Sequence, residues 1–391
     1  MLPLEGIRVI SLEHAVAAPL CTRHMADLGA EVIKVERPGE GDFARGYDTS
    51  VKGQSSFFIW LNRGKRSITL DLKNPAVADI LDRLIAQADV LVQNLAPGAA
   101  GRIGLGYPEL APNYPGLVVT DISGYGESGP YAQKKAYDLL VQAESGIISV
   151  TGTPEEPARV GISIVDIATG MYALSGTLAA LLRRAKTGRG ANVKIAMLDA
   201  IAEWMTYPLY QGAYAGAAPK RLATSHPAVA PYGPHATKDG QVIFGLQNDR
   251  EWTAFCVKVL RQPGLVQDPR FATNTARCAH RAEVTSIIES FFAGYSSAEV
   301  VSLLDAAGIA SGRLNDVHAV WRHAQFAVRG RWRDVATPAG PVRALLPPFT
   351  FGDAEPVMGA VPGLGQHTDT ILRQMGYSQA EIAQLHEVGA V

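Results

Sequence analysis

The stretch GIRVISLEHAVAAPLCTRHMADLGAEVIKVE, residues 6–36, decides the fold. GIRVISL (6–12) is a short apolar run with strand character. CTRHMADLGA reads as a helix ending near Gly29, and AEVIKVE (30–36) is a second strand. The alternation continues through RSITLDL (66–72), the helical run PAVADILDRLIAQA (75–88), DVLVQN (89–94) and LVVTDIS (117–123). Pro75 suits a first helical position, where its missing N–H costs nothing. Strands alternating with helices predict an α/β fold, a parallel sheet joined by crossover helices.

Further along, DIATGMYALSGTLAALLRRAKTGRG (166–190) reads as a long, apolar, buried helix, followed by the strand NVKIAML (192–198). DAIAEWMTYPLYQGAYAG begins helical and breaks near Pro208. The Pro-, Gly- and Ala-rich segment 217–241 is the expected linker into a second, smaller domain. That domain has the strand VIFGL and helical runs near 249–260, 281–293 and 297–307. These signals divide the chain into 1–216, 217–330 and 331–391, with the helical tail returning to the first domain.

Composition narrows the function classes. With 47% hydrophobic and 19% charged residues, the chain has enough apolar content to fold, unlike a disordered one. A net charge of −1 gives no field that would gather nucleic acid or anionic lipid. Cys21, Cys256 and Cys278 are dispersed, without a C-x-x-C pair, and the nine histidines show no metal-ligand spacing. The first residues lack the pattern of a secretory leader. The longest membrane-like stretch, MYALSGTLAALL, is about half a bilayer span. The expectation is a soluble cytoplasmic protein with no metal, nucleic-acid or membrane partner.

Two local features bear on chemistry. SGYGESGP (123–130) carries Gly124, Gly126 and Gly129 in G-x-G-x-x-G spacing. A dinucleotide site needs a helix starting inside that motif and an acidic residue ending a following strand, and neither is evident. A glycine turn that admits a close ligand is the simpler alternative to NAD binding. In VGISIVDIATGMYALSG, Asp166 is the only charged side chain between Arg159 and Arg183. From the residues alone the favoured reading is a helix N-cap; a functional carboxylate kept ionised by the helix dipole is compatible with it. Arg37, Lys65, Arg66, Lys73, Arg102, Lys134 and Lys135 lie near predicted strand ends or in the loops after them. Strand C-termini gather along one edge of a parallel sheet, so these cations suit a phosphate-bearing ligand there.

Taken in order, GIRVISLEHAVAAPLCTRHMADLGAEVIKVERPGEGDFAR, NRGKRSITLDLK, ADVLVQNLAPGAAGRIGL, SGYGESGPY, KKAYDLLVQAESG, VGISIVDIATGMYA, TGRGANVKIAMLDA and GQHTDTILRQMGYS resemble the class III CoA-transferases (CaiB/BaiF type). The resemblance covers almost the whole chain. It implies a large Rossmann-like domain built from both chain ends, a smaller α+β domain between them, and an interlaced homodimer. It also implies coenzyme A or an acyl-CoA as substrate, with no permanently bound cofactor.

The family's nucleophilic aspartate falls on Asp166. Its CoA-binding positions fall on His14, Ala15, Val16, Arg37, Leu70, Lys73, Asn94, Leu95, Arg102 and Lys135. Tyr137 and Asp138 match the tyrosine and acidic residue beside the nucleophile, as substrate-binding positions. The related 2-methylacyl-CoA racemases carry a histidine acid/base where this chain has Tyr137, and tyrosine is a poor base at neutral pH. The formyl-CoA enzymes carry glutamine where this chain has Val16, and a run of glycines where it has SHPAVAPYGP. His226 and Tyr232 in that segment are further substrate-binding candidates. Arg45, Arg63 and Arg221 are candidate partners for a second carboxylate.

The nearest subgroup by resemblance moves CoA among small dicarboxylic acids of the succinyl, mesaconyl, itaconyl and citramalyl type, including an intramolecular C1-to-C4 shift. The alternatives are a racemase or epimerase, a CoA-binding protein without turnover, and, more distantly, an NAD oxidoreductase.

Overall fold

The computed structural model describes residues 1–391. Six strands form one sheet: β1 Arg8–Leu12, β2 Glu31–Glu36, β3 Lys65–Thr69, β4 Val90–Gln93, β5 Val118–Ser123 and β6 Ala191–Ala196. Their order is β3-β2-β1-β4-β5-β6 and every pairing is parallel. The central strands β1 (RVISL) and β4 (VLVQ) are largely apolar because both faces are covered, whereas the edge strand β3 (KRSIT) is mostly polar. Side chains alternate between two cores. Ile10, Ile33, Leu91 and Val119 enter one, and Val9, Val32, Val90 and Val118 the other.

The first core is closed by the helix Ala78–Ala86 and by the C-terminal helices Thr368–Gln374 and Gln379–Glu387, through Ile80, Leu84, Ile371, Leu372 and Ile382. The chain's end also shields the edge strand β3. His367 N donates to Ser67 O at 2.9 Å, Ser67 N to His367 Nδ1 at 3.1 Å, and Thr69 N to Thr368 Oγ1 at 3.0 Å. Edge amides that would otherwise pair with another chain are thereby satisfied.

The second core is closed by the helix Ala17–Asp27 and by the long helix Ile164–Thr187. The long helix ends at Gly188, whose φ of 70° is a left-handed C-cap. It is the one helix long and apolar enough, by length and composition, to cross a membrane, so the sequence estimate of half a span was too short. Here it lies on the sheet, where Thr177 and Thr120 share a buried hydroxyl–hydroxyl bond of 2.7 Å.

Two compact units emerge. The first comprises residues 1–147, 160–207 and 326–391, and contains the sheet and the hairpin of β10 (Trp332–Val335) and β11 (Val342–Leu345). The second comprises 148–159 and 208–325. Its antiparallel sheet has β7 Tyr232–Ala236, β8 Gln241–Gly245 and the short β9 Ser311–Gly312, over a core rich in aromatics (Phe244, Trp252, Phe255, Phe271, Phe292).

The sequence-based boundaries at 216/217 and 330/331 lie a few residues from this division, which starts the second unit at Pro208 and resumes the first at Phe326. The excursion of 148–159 was not foreseen. It is held to the second unit by Arg221, whose guanidinium donates to the carbonyls of Ser149, Thr153 and Pro154. The predicted linker 217–241 also contains strand β7.

Candidate active site

The strand order reverses between β1 and β4, and there the connections after the two strands leave in opposite directions. The residues following β1 and β4 meet at this crevice. His14 N donates to Asn94 Oδ1 and Asn94 Nδ2 returns a bond to His14 O, both at 2.9 Å. Ala15 adopts φ 62°, a conformation unusual for a non-glycine residue, and its amide donates to Asp42 Oδ1 at 3.1 Å.

Asp42 is fully buried, and Lys34 Nζ donates to its Oδ2 at 2.8 Å. Lys34 also reaches Glu13 O at 3.2 Å, and Lys65 donates to Glu13 Oε1 at 2.6 Å. Burial alone would raise the Glu13 carboxyl, but the Lys65 and Lys34 ammonium groups overcome it and hold the carboxyl down at about 2. The loop Glu13–Val16 thus stands on a buried, mutually neutralising set of charges. Lys65 was read from sequence as a phosphate-facing cation. It is instead 3% exposed and committed to this set, while Arg66 donates to Glu31 and Gln374.

Val16 packs on Leu20 and Leu61, with Ile167 and Met171 of the long helix beside them. Gly170 allows this approach, since a Cβ there would lie 2.5 Å from Ala17 O. The first turn of the long helix is therefore held against the loop that follows β1.

Asp166 is the third residue of that helix and is half-buried. It is not the N-cap. Ser163 holds that position without a side-chain bond, and the capping carboxylate comes from Asp138. Asp138 Oδ1 accepts from the amides of Val165 at 2.8 Å and Asp166 at 3.2 Å. The helix N-terminus therefore spends its donors on Asp138. The expectation that the dipole keeps Asp166 fully ionised is reversed: burial, then the Asp138 charge, pushes its carboxyl up to about 7.

Asp138 begins the helix Asp138–Glu144, directly after Tyr137, which is 63% exposed. The glycine turn serves this segment. A Cβ on Gly124 would collide with that of Ala136, and Gly126 and Gly129 have φ of 87° and 84°. No helix begins within the motif, so it lacks the helix N-terminus that a dinucleotide fingerprint needs.

Contributors that escaped the sequence reading include Glu13, Lys34, Asp42, Gln142 and Tyr47. The ring of His14 stacks on Phe43 with centroids 5.2 Å apart, Phe43 meets Tyr47 at 5.8 Å, and Tyr47 meets Phe57 edge-on at 5.4 Å. Burial, then the charges of Asp42 and Asp166, pushes the Tyr47 phenol up to about 12, so it remains a donor. The His14 ring is held neutral chiefly by burial, against the pull of Asp42. FARGYD has no periodicity or motif that would single out Tyr47.

The remaining predicted residues are distributed unequally. Leu95 is half-buried against the core, and its amide donates to Gln93 Oε1 at 2.8 Å. Leu70 is 1% exposed within the core, so its side chain has no free face for a ligand. Lys73, Arg102 and Lys135 are exposed, and Arg37 is exposed and paired with Glu40 at 2.7 Å.

The three cations proposed for a second carboxylate are engaged elsewhere. Arg63 is buried against Asp27, with bonds of 2.8 and 2.7 Å. Arg45 grips Glu36 over the Phe58 ring, and Arg221 binds carbonyls. His226 and Tyr232 belong to the second unit, where their rings stack at 5.2 Å.

The strand order and crevice define an open, doubly wound α/β protein. The comparisons make this more specific. The profile of CoA-transferase family III matches residues 4–368, and the chain belongs to that family. It is 34% identical over 394 residues to a succinyl-CoA:glutarate CoA-transferase of Mus musculus, covering 98% of this chain and 89% of the relative. It is 32% identical over 395 residues to a succinyl-CoA–D-citramalate CoA-transferase of Chloroflexus aurantiacus, covering 98% and 96%. A CAIB/BAIF family protein from Brucella suis superposes with a TM-score of 0.83 at 34% identity, covering 96% of this chain and 99% of that one. The chain is thus an enzyme of the CoA-transferase type, a class that uses CoA thioesters as substrates.

Proposed function

We propose that this enzyme moves CoA from an acyl-CoA, with succinyl-CoA as the favoured donor, to a small dicarboxylic acid by way of Asp166. The observation that carries the reading is the placement of a half-buried carboxyl on the first turn of the long helix, packed against the loop after β1. The names of relatives that act on succinyl-CoA with glutarate or D-citramalate support the substrate class.

In the first step the ionised Asp166 carboxylate attacks the thioester carbonyl. The C–S bond breaks, giving an aspartyl–acyl anhydride and CoA thiolate. The thiolate then attacks the aspartyl carbonyl, releasing the first acid as its carboxylate and leaving an Asp166–CoA thioester. The acceptor carboxylate reverses both steps and departs as the new acyl-CoA, restoring Asp166. Each covalent step conserves the thioester's reactivity instead of losing it to water. His14, Ala15, Val16, Asn94 and Leu95 form the crevice for CoA, and Arg37, Lys73, Arg102 and Lys135 are the cations for its phosphates. Tyr137 and Asp138 flank the acyl group.

The test is mass spectrometry of CoA products after incubation with succinyl-CoA and a panel of mono- and dicarboxylic acids. A new dicarboxylyl-CoA from wild type and none from Asp166→Ala is the expected result. Equal product from both proteins would remove Asp166 from the chemistry. Exchange of an α-hydrogen with deuterated water and no new acyl-CoA would indicate racemisation.

A further inference from the structure

Gln142 is fully buried, one turn along the helix from Asp138. Its Nε2 donates to Asp138 Oδ2 at 2.7 Å and to Ile162 O at 3.4 Å. Its Oε1 accepts from Val160 N at 2.9 Å. The amide orientation follows from the partners, because the Val160 N–H requires an oxygen and an ionised carboxylate requires a donor.

Asp138 divides its two oxygens. Oδ2 takes the Gln142 amide, and Oδ1 takes both amides at the start of the long helix. Gln142 therefore binds the carboxylate that caps the helix, and also the segment 160–162 that leads into it. We propose that Gln142 is a positioning residue of the transfer reaction: it locks Asp138 onto the amides of Val165 and Asp166 and so fixes the turn that carries Asp166. This rests on the assignment of Asp166 as nucleophile.

Replacing Gln142 with methionine keeps the volume but strips partners from Asp138 Oδ2 and Val160 N. A misplaced nucleophile lowers kcat while leaving the CoA crevice intact. Gln142→Glu is the sharper variant. Protonated, glutamic acid still donates to Asp138 and accepts from Val160. Ionised, it loses the donor and sets a second charge against Asp138. The groups coupled by charge to Asp166 are Asp138 and Tyr47.

The experiment measures kcat, KM for succinyl-CoA and melting temperature from pH 6 to 9 for wild type, Gln142→Met, Gln142→Glu and Asp166→Ala. For Gln142→Met, kcat is expected to fall by about tenfold or more at every pH, with KM within about twofold. Gln142→Glu is expected to stay within about threefold of wild type near pH 6.5 and to lose about tenfold above pH 8, adding a descending limb.

Wild-type kcat and a wild-type profile in both variants would overturn the proposal. So would a loss accounted for entirely by a smaller folded fraction. If Gln142→Met does not fold, the Gln142→Glu profile decides alone, and one parallel to wild type overturns the proposal. Activity retained by Asp166→Ala is a different failure, that of the nucleophile assignment.

Discussion

Asp138 accepts the amide of Asp166 at 3.2 Å, so a fixed negative charge stands beside the carboxyl proposed as nucleophile. Because burial and this charge raise Asp166 to about 7, only the ionised fraction can attack, and kcat/KM falls as pH drops below about 7. Asp138→Asn keeps an oxygen for the two amides but removes the charge. The acid limb of its pH–rate profile moves down toward the ordinary carboxylate range. A limb that stays in place would mean that Asp138 does not act electrostatically on the reacting group.

The same shift has a consequence for stability. The folded protein holds the Asp166 proton more tightly than the unfolded chain, whose carboxyl sits near about 4. Stability from this group is therefore complete below about pH 4, is lost as pH rises from there to about 7, and stays lost above about 7. Asp166→Asn should melt a few degrees higher than wild type at pH 8 and at the same temperature at pH 4. Thermal melts at the two pH values check this.

Glu13 behaves with the opposite sign. Its depressed carboxyl contributes stability that is complete above the model-compound value of 4.5 and is lost as pH falls toward about 2. Lys34→Met leaves Glu13 and Asp42 with less compensation in a buried setting, which costs about 3–5 kcal/mol. Urea titration of the variant at pH 7 should show a lowered midpoint with an unchanged slope.

Gly170 sets how closely the long helix approaches the first helix. A methyl group there meets Ala17 O at 2.5 Å, so Gly170→Ala must displace one helix at a cost of about 1–3 kcal/mol. Since Asp166 rides on the displaced turn, kcat should fall further than the folded fraction does. Activity normalised to folded protein separates the two effects.

Much of the fold was legible because parallel strands with two covered faces leave short apolar runs, and RVISL and VLVQ show them directly. The long helix and Asp166 were legible for a related reason, since one charge in an apolar run is conspicuous. The cap on that helix was not. Asp138 lies 28 residues away in the chain, and local pattern assigned the cap to Asp166 itself.

Lys65 misled in a similar way, and Lys34, inside a predicted strand, drew no notice at all. Lysines near strand ends read as surface cations until Glu13 and Asp42 are seen to bury them. Arg63 looked available for a substrate carboxylate, but Asp27, 36 residues earlier, occupies it. In each case the deciding partner is remote in sequence, and no local signal marks it.

The most direct test of the central claim is peptide mapping by mass spectrometry after rapid quenching of the enzyme with succinyl-CoA. The expected result is CoA attached as a thioester, with loss of one water, on the peptide containing Asp166, and its disappearance when acceptor acid is added. Rapid turnover to a new acyl-CoA with no adduct on that peptide, or with the adduct on another residue, would contradict the account.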